Sequence, residues 1–271
     1  MSALSEVSLN EVFRSHLRSG GSRTRAILAL RCARDLGLPD SVRFSIATAV
    51  ELLHQASLIH DDLQDRDPVR RGQRSVWSSV GVSTAICLGD ELIAAAFGEL
   101  AELPSLCSKQ LPRMVKLMSR AVSAMSAGQA IDCRWSADSS ISIAEYEKIV
   151  QLKSGPLLGL PVAMAIAASG GQEKDIEKSL DVAASIGIAY QLADDLEDKA
   201  EDYGQRLNGY WVIERNSEPG SEISGVLRKR FVLHLDQALA DASSLPKPCL
   251  MTFLELIDRL REAYPALQKV A

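Results

Sequence analysis

The chain contains two copies of a DDxxD pattern, in which two adjacent aspartates are followed by a third. The first copy spans residues 61–65 and the second spans residues 194–198. Residues i and i+4 of a helix lie above one another, so Asp61 would stack on Asp65 and Asp194 on Asp198. Carboxylate oxygens suit Mg²⁺, which usually takes one or two of them together with substrate phosphates. The two motifs therefore predict a divalent-cation site.

Both motifs end strongly apolar segments, SLIHDD and AYQLADD. Like charges stacked on one helix face repel each other, and the carboxyl end of a helix disfavours anions. Bound cations would relieve both penalties. The alternative interpretation is a solvated acidic face, and the apolar residues before each motif argue against it.

The apolar residues of the segments that must position these motifs recur with helical periodicity. Seven long helices are predicted, at Val42–Ile59, Ser83–Leu103, Leu111–Ile131, Ile143–Ser169, Lys174–Ala200, Ile223–Ala242 and Leu250–Ala263. The segment Asp67–Gly72 would stop the first of them, and an irregular stretch is expected from about Tyr203 to Gly225. Because no linker divides the chain, we predict an all-α bundle in a single domain of residues 1–271.

The composition is that of an ordinary globular protein, with 46% hydrophobic and 24% charged residues. A net charge of −5 excludes a basic footprint for nucleic acid over the whole chain. Five scattered cysteines without a CxxC pair are typical of a reduced, cytosolic protein. No apolar stretch has the length of a membrane span, and the amino terminus lacks the apolar core of a signal peptide. We therefore expect a cytoplasmic protein.

The block ELLHQASLIHDDLQDRDPVRRG at residues 51–72 closely resembles the first aspartate-rich region of the trans-isoprenyl diphosphate synthases, the polyprenyl synthetase family. Four further motifs follow in the order of that family: GVSTAICLGDELIAAAF at 81–97, GQAID at 128–132, KSG at 153–155 and YQLADDLED at 190–198. The resemblance covers roughly residues 14 to 202. Within that family the chain resembles the geranylgeranyl and farnesyl diphosphate synthases.

This resemblance implies an antiparallel helical bundle around a deep central cavity, usually a homodimer, with a heteromer as the other arrangement. Family members join isopentenyl diphosphate to an allylic diphosphate, with three Mg²⁺ ions bridging the aspartates and the allylic diphosphate. The implied metal ligands are Asp61, Asp65, Asp194, Asp195 and Asp198. The implied catalytic residues are Asp61, Asp62, Asp65, Lys153, Gln191 and Asp194.

The resemblance also implies two diphosphate sites. Arg70 and Lys153 match contacts to the allylic diphosphate, whose departure needs charge neutralisation. Arg25, His54 and Arg71 match contacts to isopentenyl diphosphate. The liberated diphosphate is the usual base for the final proton removal, so no protein base is predicted.

The allylic cation needs a dry pocket with weakly negative groups. Pro156 cannot donate a backbone hydrogen bond, so it is expected to kink its helix and free the carbonyl of Leu152. Groups near Lys153 and Ser154 would then face the cation, and Gln191 would do likewise.

Two small residues, Ala56 and Ser57, precede Asp61 by about one helical turn, where the family sets the floor of its cavity. Small side chains there predict growth beyond farnesyl, so we expect a geranylgeranyl-like product. The alternative is that Ala56 only packs against a neighbouring helix.

Three departures from the family pattern keep other functions open. Ser22 replaces the lysine of GGKxxR, Trp77 replaces a histidine, and residues 199–215 lack the lysine-bearing GKxxGxD loop. Lys199 and Arg206 are candidates to replace that lysine. One alternative is a class I terpene synthase on the same scaffold, which needs no isopentenyl diphosphate. The other is a non-catalytic subunit of a heteromeric prenyl synthase.

Overall fold

A computed structural model describes residues 8–18, 20–104, 107–136 and 140–268. Residues 1–7, part of the amino-terminal segment in which no signal peptide is predicted, lie outside the described part. Within the described residues the chain forms thirteen α-helices, a two-stranded hairpin and a 3-10 turn at Pro265–Leu267. The helices are α1 (Leu9–Arg18), α2 (Thr24–Asp35), α3 (Asp40–Gln64), α4 (Val76–Val80), α5 (Val82–Ala101), α6 (Leu111–Asp132), α7 (Ile143–Lys153), α8 (Gly155–Ala168), α9 (Glu173–Glu197), α10 (Lys199–Asp202), α11 (Gly209–Arg215), α12 (Ile223–Ala242) and α13 (Lys247–Ala263).

The all-α prediction is confirmed, and the described strands are limited to β1 (Val69–Arg70) and β2 (Gln73–Arg74). They pair antiparallel as a small hairpin directly after α3. This hairpin occupies the segment that the sequence predicts as a helix stop.

The prediction of one helix over Ile143–Ser169 is wrong, because α7 and α8 are separate helices. Their axes meet at 47°. The break lies at Ser154, directly before Gly155 and Pro156. A proline is tolerated in the first turn of a helix but not in its interior, so Pro156 starts α8 rather than continuing α7.

The irregular stretch predicted after Tyr203 is also partly wrong, because it contains α11. Asn208 begins this helix as its N-cap, and its side-chain oxygen accepts a hydrogen bond from the backbone N–H of Tyr210 at 2.9 Å. The Asn-Gly pair that indicates a turn in the sequence therefore starts a helix here.

Helix α8 forms the centre of the bundle. All of its residues except the half-buried Pro156 are buried, and its sequence GPLLGLPVAMAIAA offers no polar face to water. Helices α2, α3, α6, α7 and α9 pack around it. The two DDxxD motifs lie at the carboxyl ends of α3 and α9, so the core helix lies between the helices that carry them.

No single helix in the described part of the chain has the length and hydropathy of a membrane span. The bent pair α7–α8 passes the same test by length and composition when it is taken as one segment.

Candidate active site

The three aspartates of the first motif face two different environments. Asp62 is only 1% exposed, and its Oδ1 accepts from Nε and Nη2 of Arg70 at 2.6 and 2.5 Å. Asp61 and Asp65, one turn apart, lie on the side of α3 that meets Lys153 and Asp132. The helix geometry thus gives Asp62 to an internal ion pair and leaves the other two carboxylates for a ligand.

The environment of Asp61 makes its negative charge costly. Burial raises the pKa of Asp61 to about 6, although the ammonium group of Lys153 opposes the shift. The neighbouring Asp65 adds to the rise, and burial also raises the pKa of Asp65. Two partly desolvated carboxylates with insufficient counter-charge form a donor set that favours a cation.

Lys153 lies at the end of α7 and forms an ion pair with Asp132 at the end of α6. Its Nζ donates to Oδ2 of Asp132 at 2.6 Å. Burial lowers the pKa of Lys153, but the nearby carboxylates outweigh it and the pKa is raised. The lysine therefore stays charged at the rim of the aspartate site.

A close approach of two helices holds this lysine in position. A side-chain carbon built at Gly128 of α6 would lie 2.7 Å from the backbone nitrogen of Lys153 and 2.9 Å from the carbonyl carbon of Leu152. Only glycine lets α6 pack against the α7–α8 break at this distance. The next residue, Gln129, donates from Nε2 to Oδ1 of Asp65 at 3.4 Å.

The second motif divides in the same way as the first. Burial raises the pKa of Asp194 to about 6, and the charges of Asp198, Glu197 and Asp202 add to the shift. Asp198 is exposed at the end of α9. Asp195 is buried, and its Oδ2 accepts from the Tyr146 hydroxyl at 2.5 Å.

Two further donors complete the surroundings of Asp195. Gln191 donates from Nε2 to Oδ1 at 2.8 Å, and the backbone N–H of Gly209 donates to Oδ2 at 2.5 Å. Burial raises the pKa of Asp195 to about 7, and these hydrogen bonds oppose the shift. Both oxygens of this predicted metal ligand are therefore engaged inside the protein.

The predicted isopentenyl diphosphate residues form a cluster between α2 and α3. Nη1 of Arg25 lies 3.3 Å from Nε2 of His54. Burial, followed by the charge of Arg25, lowers the pKa of His54 to about 2, so the imidazole is neutral. Arg71 reaches the same region and donates to the carbonyl oxygen of Gly20.

Three polar atoms of this cluster are buried without a hydrogen-bond partner in the described part of the chain: Nε of Arg25, Nδ1 of His54 and Oε2 of Glu51. Unpaired buried polar groups are costly, and two of these three belong to the predicted diphosphate contacts.

Ser22 stands in the position of the family lysine. Among the described residues its hydroxyl bonds only to the hydroxyl of Thr24, at 2.8 Å. Arg23 is engaged by Glu51 at 2.5 Å.

A cavity of about 390 Å³ lies between α3, α5 and α6. Asp61, Gln64 and Gln129 line one end of it, and Leu53, Val122 and Met125 line the other. Ala56 and Ser57 are on its wall, and Ala56 also belongs to a buried apolar cluster that includes side chains of α1, α4 and α5. The position of Ala56 thus combines both interpretations given by the sequence.

The site is not preassembled as a metal cage. Within the described residues, no three His, Cys, Asp or Glu side chains come close enough to share one ion. The carboxylates of the two motifs remain on separate helices, and a ligand between them would have to supply further donors.

Comparisons with known proteins identify the family of this chain. A family model described as polyprenyl synthetase matches residues 6–206. The chain belongs to the polyprenyl synthetase family. The family resemblance predicted from the motifs is thereby confirmed.

Two curated relatives in this family illustrate the range of similarity. Geranylgeranyl pyrophosphate synthase of Geoglobus acetivorans is 33% identical over 186 residues, which are 68% of this chain and 58% of that protein. Geranylfarnesyl diphosphate synthase of Aeropyrum pernix is 38% identical over 186 residues, which are 66% of this chain and 58% of that protein. The chain thus matches less than two thirds of the length of these relatives.

The solved structure of the synthase from Geoglobus acetivorans has a TM-score of 0.81 with 26% identity. The superposition covers 94% of this chain and 92% of the other. The family fold therefore extends over α12 and α13, where the motif resemblance ends.

The sequence alone assigns no role to three residues that contact the site, Asp132, Tyr146 and Gly209, and it offers Arg206 only as one of two candidates for a missing lysine. Asp132 belongs to the GQAID motif, which is a usable signal. Tyr146 and Gly209 carry no signal of their own, because their role depends on contacts between α7, α9 and α11.

Proposed function

We propose that this protein is a trans-prenyltransferase that condenses isopentenyl diphosphate with an allylic diphosphate to give a geranylgeranyl-like prenyl diphosphate. The observation that supports this most directly is that Asp61 lines the polar end of a cavity whose other end is apolar. A prenyl diphosphate has the same polarity, because a charged head precedes a hydrocarbon tail. Leu53 lies eight residues before Asp61, about 12 Å along the helix, which is enough depth for several isoprene carbons.

We propose Mg²⁺ as the cofactor, three ions by family resemblance, held by Asp61, Asp65, Asp194 and Asp198. The donor set fits a hard divalent ion, since the pKa values of Asp61 and Asp194 are raised to about 6 by burial and by neighbouring carboxylates. Asp195 and Asp62 are retained as supporting residues, because each is engaged in hydrogen bonds inside the protein. Bound Mg²⁺ would supply the Lewis acid that makes diphosphate a good leaving group.

Lys153 and Arg70 would bind the allylic diphosphate beside the aspartates. The ammonium of Lys153 is charged and lies close to the carboxylates of Asp132, Asp61 and Asp65. Arg70 uses Nε and Nη2 on Asp62, which leaves further guanidinium N–H groups for phosphate oxygens. As the C–O bond breaks, charge accumulates on the leaving diphosphate and these bonds strengthen, which lowers the barrier.

Arg25, His54 and Arg71 would bind the diphosphate of isopentenyl diphosphate. The unpaired Nε of Arg25 and Nδ1 of His54 support an additional polar ligand at this cluster. Ser154 and Gln191 would face the allylic cation at the α7–α8 break. The proton lost at the end of the condensation would go to the liberated diphosphate.

That the protein forms a homodimer, or part of a heteromer, stays a prediction, as does its cytoplasmic location. Sedimentation of the purified chain at several concentrations tests whether it forms a homodimer. We propose that residues 1–271 form a single catalytic domain.

A class I terpene synthase is the second candidate, and the environment of Ser22 favours it. The family lysine is missing there, and the guanidinium of the neighbouring Arg23 is engaged by Glu51. A protein with a weak isopentenyl diphosphate site would still ionise a prenyl diphosphate and release a hydrocarbon or an alcohol.

A product assay separates these activities. Purified protein is incubated with Mg²⁺, labelled isopentenyl diphosphate, and dimethylallyl, geranyl or farnesyl diphosphate in turn. Longer labelled diphosphates are the expected result. Hydrocarbon or alcohol from one allylic substrate without elongation would identify a terpene synthase, and inactivity with every substrate would indicate a non-catalytic subunit.

A further inference from the structure

The carboxylate of Asp195 joins three elements of the bundle. Its Oδ2 accepts from the Tyr146 hydroxyl of α7 and from the backbone N–H of Gly209 of α11, and its Oδ1 accepts from Nε2 of Gln191. Tyr146 is 1% exposed, so the contact is shielded from water. Of these partners, only Gln191 belongs to the residues implied in catalysis.

The fit around Oδ2 requires a glycine at position 209. A side-chain carbon at Gly209 would lie 2.7 Å from Cζ of Tyr146 and 3.0 Å from Oδ2 of Asp195. Asn208 holds this backbone in place by donating from Nδ2 to the carbonyl oxygen of Asp195 at 2.8 Å and to Oδ2 of Asp202 at 2.9 Å. Asn208 and Gly209, in the segment that departs from the family loop, therefore hold Asp195 of the second motif in place.

These contacts fix which end of the Gln191 amide faces the site. A carboxylate that already accepts from an O–H and an N–H needs a donor from Gln191 as well, so the NH₂ group points to Asp195. The terminal torsion of a glutamine is broad, and a glutamine without this contact would sample both orientations. With Nε2 held, Oε1 points away from Asp195 and has no donor within the described part of the chain.

We propose that Tyr146 and Asp195 are positioning residues that orient Gln191 with its carbonyl oxygen toward the reacting allylic carbon. The inference rests on the proposed prenyl transfer. Positive charge develops on that carbon only as the C–O bond breaks, so an oxygen dipole already oriented lowers the barrier without reorganisation. Loss of the orientation should therefore reduce kcat more than it changes KM.

A double-mutant cycle tests the inference. Tyr146→Phe keeps the ring and removes the hydroxyl, and we expect kcat to fall about tenfold while KM for the allylic diphosphate changes less than about twofold. In a Gln191→Ala background the same change should alter kcat less than about twofold, because no amide remains to be oriented. Tyr203→Phe, an exposed tyrosine near α11, is the matched control and should have wild-type kinetics in both backgrounds.

Asp195→Asn provides a second variant in case the loss of the Tyr146 hydroxyl weakens the fold. The asparagine amide has nearly the same shape, but it can present its NH₂ to Gln191 and so turn the Gln191 oxygen toward itself. We expect the same pattern: a fall in kcat that disappears in the Gln191→Ala background. Thermal melting of each variant reports any general loss of stability.

If Tyr146→Phe lowers kcat by the same factor with and without Gln191, the inference is overturned. A purely structural effect does not act through Gln191, so it would lower kcat equally in both backgrounds. The proposed function fails differently. In that case the unmodified protein yields no longer prenyl diphosphate from any allylic substrate. If the unmodified protein is active but the effects of the Tyr146 and Gln191 substitutions are independent, only the positioning role is rejected and the proposed function stands.

Discussion

The guanidinium of Arg206 forms an ion pair with the carboxylate of Asp67. Asp67 follows α3 and Arg206 follows α9 and α10, so the contact connects the segments after the two aspartate motifs. The charge of Arg206 also acts on Asp65 of the first motif. Arg206 thereby brings a cation to the rim of the site from the segment that lacks the family lysine.

Arg206→Met should weaken binding of the allylic diphosphate. A charged hydrogen bond to phosphate contributes about 1.5–3 kcal/mol, so we expect KM for the allylic substrate to rise about tenfold or more with little change in kcat. The ion pair is partly exposed and contributes about 0–1 kcal/mol, so the melting temperature should hardly move. Arg228→Met, which removes a surface pair with Glu222, is the control for loss of an arginine. An unchanged KM would mean that Arg206 only pairs with Asp67 and does not bind the allylic diphosphate.

The metal proposal predicts a loss of turnover without a loss of stability. Asp61→Asn and Asp194→Asn should each lower kcat by about 10²–10³-fold or more, since each removes a charge from the groups that neutralise the leaving diphosphate. Asp258→Asn, on the exposed face of α13, should keep wild-type turnover. Near-normal turnover of either site variant at saturating Mg²⁺ would contradict the assignment.

The raised pKa values of the buried aspartates predict a pH-dependent effect of substitution. The pKa of Asp61 is raised from 3.8 to about 6, so its folded form binds a proton more tightly than its unfolded form. Its contribution to stability is therefore greatest below the unfolded value and is lost as pH rises through about 6. In metal-free buffer, Asp61→Asn should stabilise the protein, and the gain should be larger at pH 8 than at pH 5.

Urea unfolding in EDTA at the two pH values measures this difference directly. Wild-type stability alone would mislead, because burial lowers the pKa values of His16 and His54 to about 4 and about 2. These two histidines have the opposite effect to Asp61. Because their pKa values in the folded protein lie below the unfolded value of 6.5, they make the protein less stable as pH falls below 6.5. A gain from Asp61→Asn that is equal at both pH values would contradict the raised pKa.

The sequence predicts the helices that carry the motifs because their apolar periodicity is long and regular. It gives no such signal for α1, which has ten residues, or for α11, which has seven. An Asn-Gly pair indicates a turn, but Asn208 becomes an N-cap once Gly209 can pack against Tyr146 and Asp195. Local patterns do not contain such a contact between α7, α9 and α11.

The same distinction applies to the site. Spacing on one helix predicts that Asp61 and Asp65 share a face, and α3 has that geometry. The ion pair between Arg206 and Asp67 joins residues 139 apart in the chain. No single-sequence pattern links such positions, since the pair depends on how α3 and α9 are arranged around α8.

Ala56→Phe should shorten the product. Ala56 lines the wall of the cavity beside Asp61 and is 1% exposed, so a phenyl ring would occupy part of the space available to the growing chain. We expect products no longer than farnesyl diphosphate. Overpacking costs about 1–3 kcal/mol, and chromatography of the products should therefore be accompanied by thermal melting. Ala240→Phe, on the exposed face of α12, is the size-matched control, and an unchanged product length in Ala56→Phe would reject the cavity wall as the length determinant.

Ser22→Lys should strengthen the isopentenyl diphosphate site. Position 22 begins the segment that leads into Arg25. Nε of Arg25 and Nδ1 of His54 are buried without a partner among the described residues. One added charge-assisted bond should lower KM for isopentenyl diphosphate about tenfold and leave kcat and KM for the allylic substrate unchanged.

Ser83→Lys, on the exposed start of α5, controls for the general effect of an added positive charge. Initial rates are measured against isopentenyl diphosphate at saturating allylic substrate. An active enzyme whose KM for isopentenyl diphosphate does not respond to Ser22→Lys would locate that substrate away from the cluster. Turnover that does not depend on isopentenyl diphosphate at all, in either variant, would instead favour the terpene synthase, because a cyclising or hydrolysing enzyme uses one allylic diphosphate and has no role for the added cation.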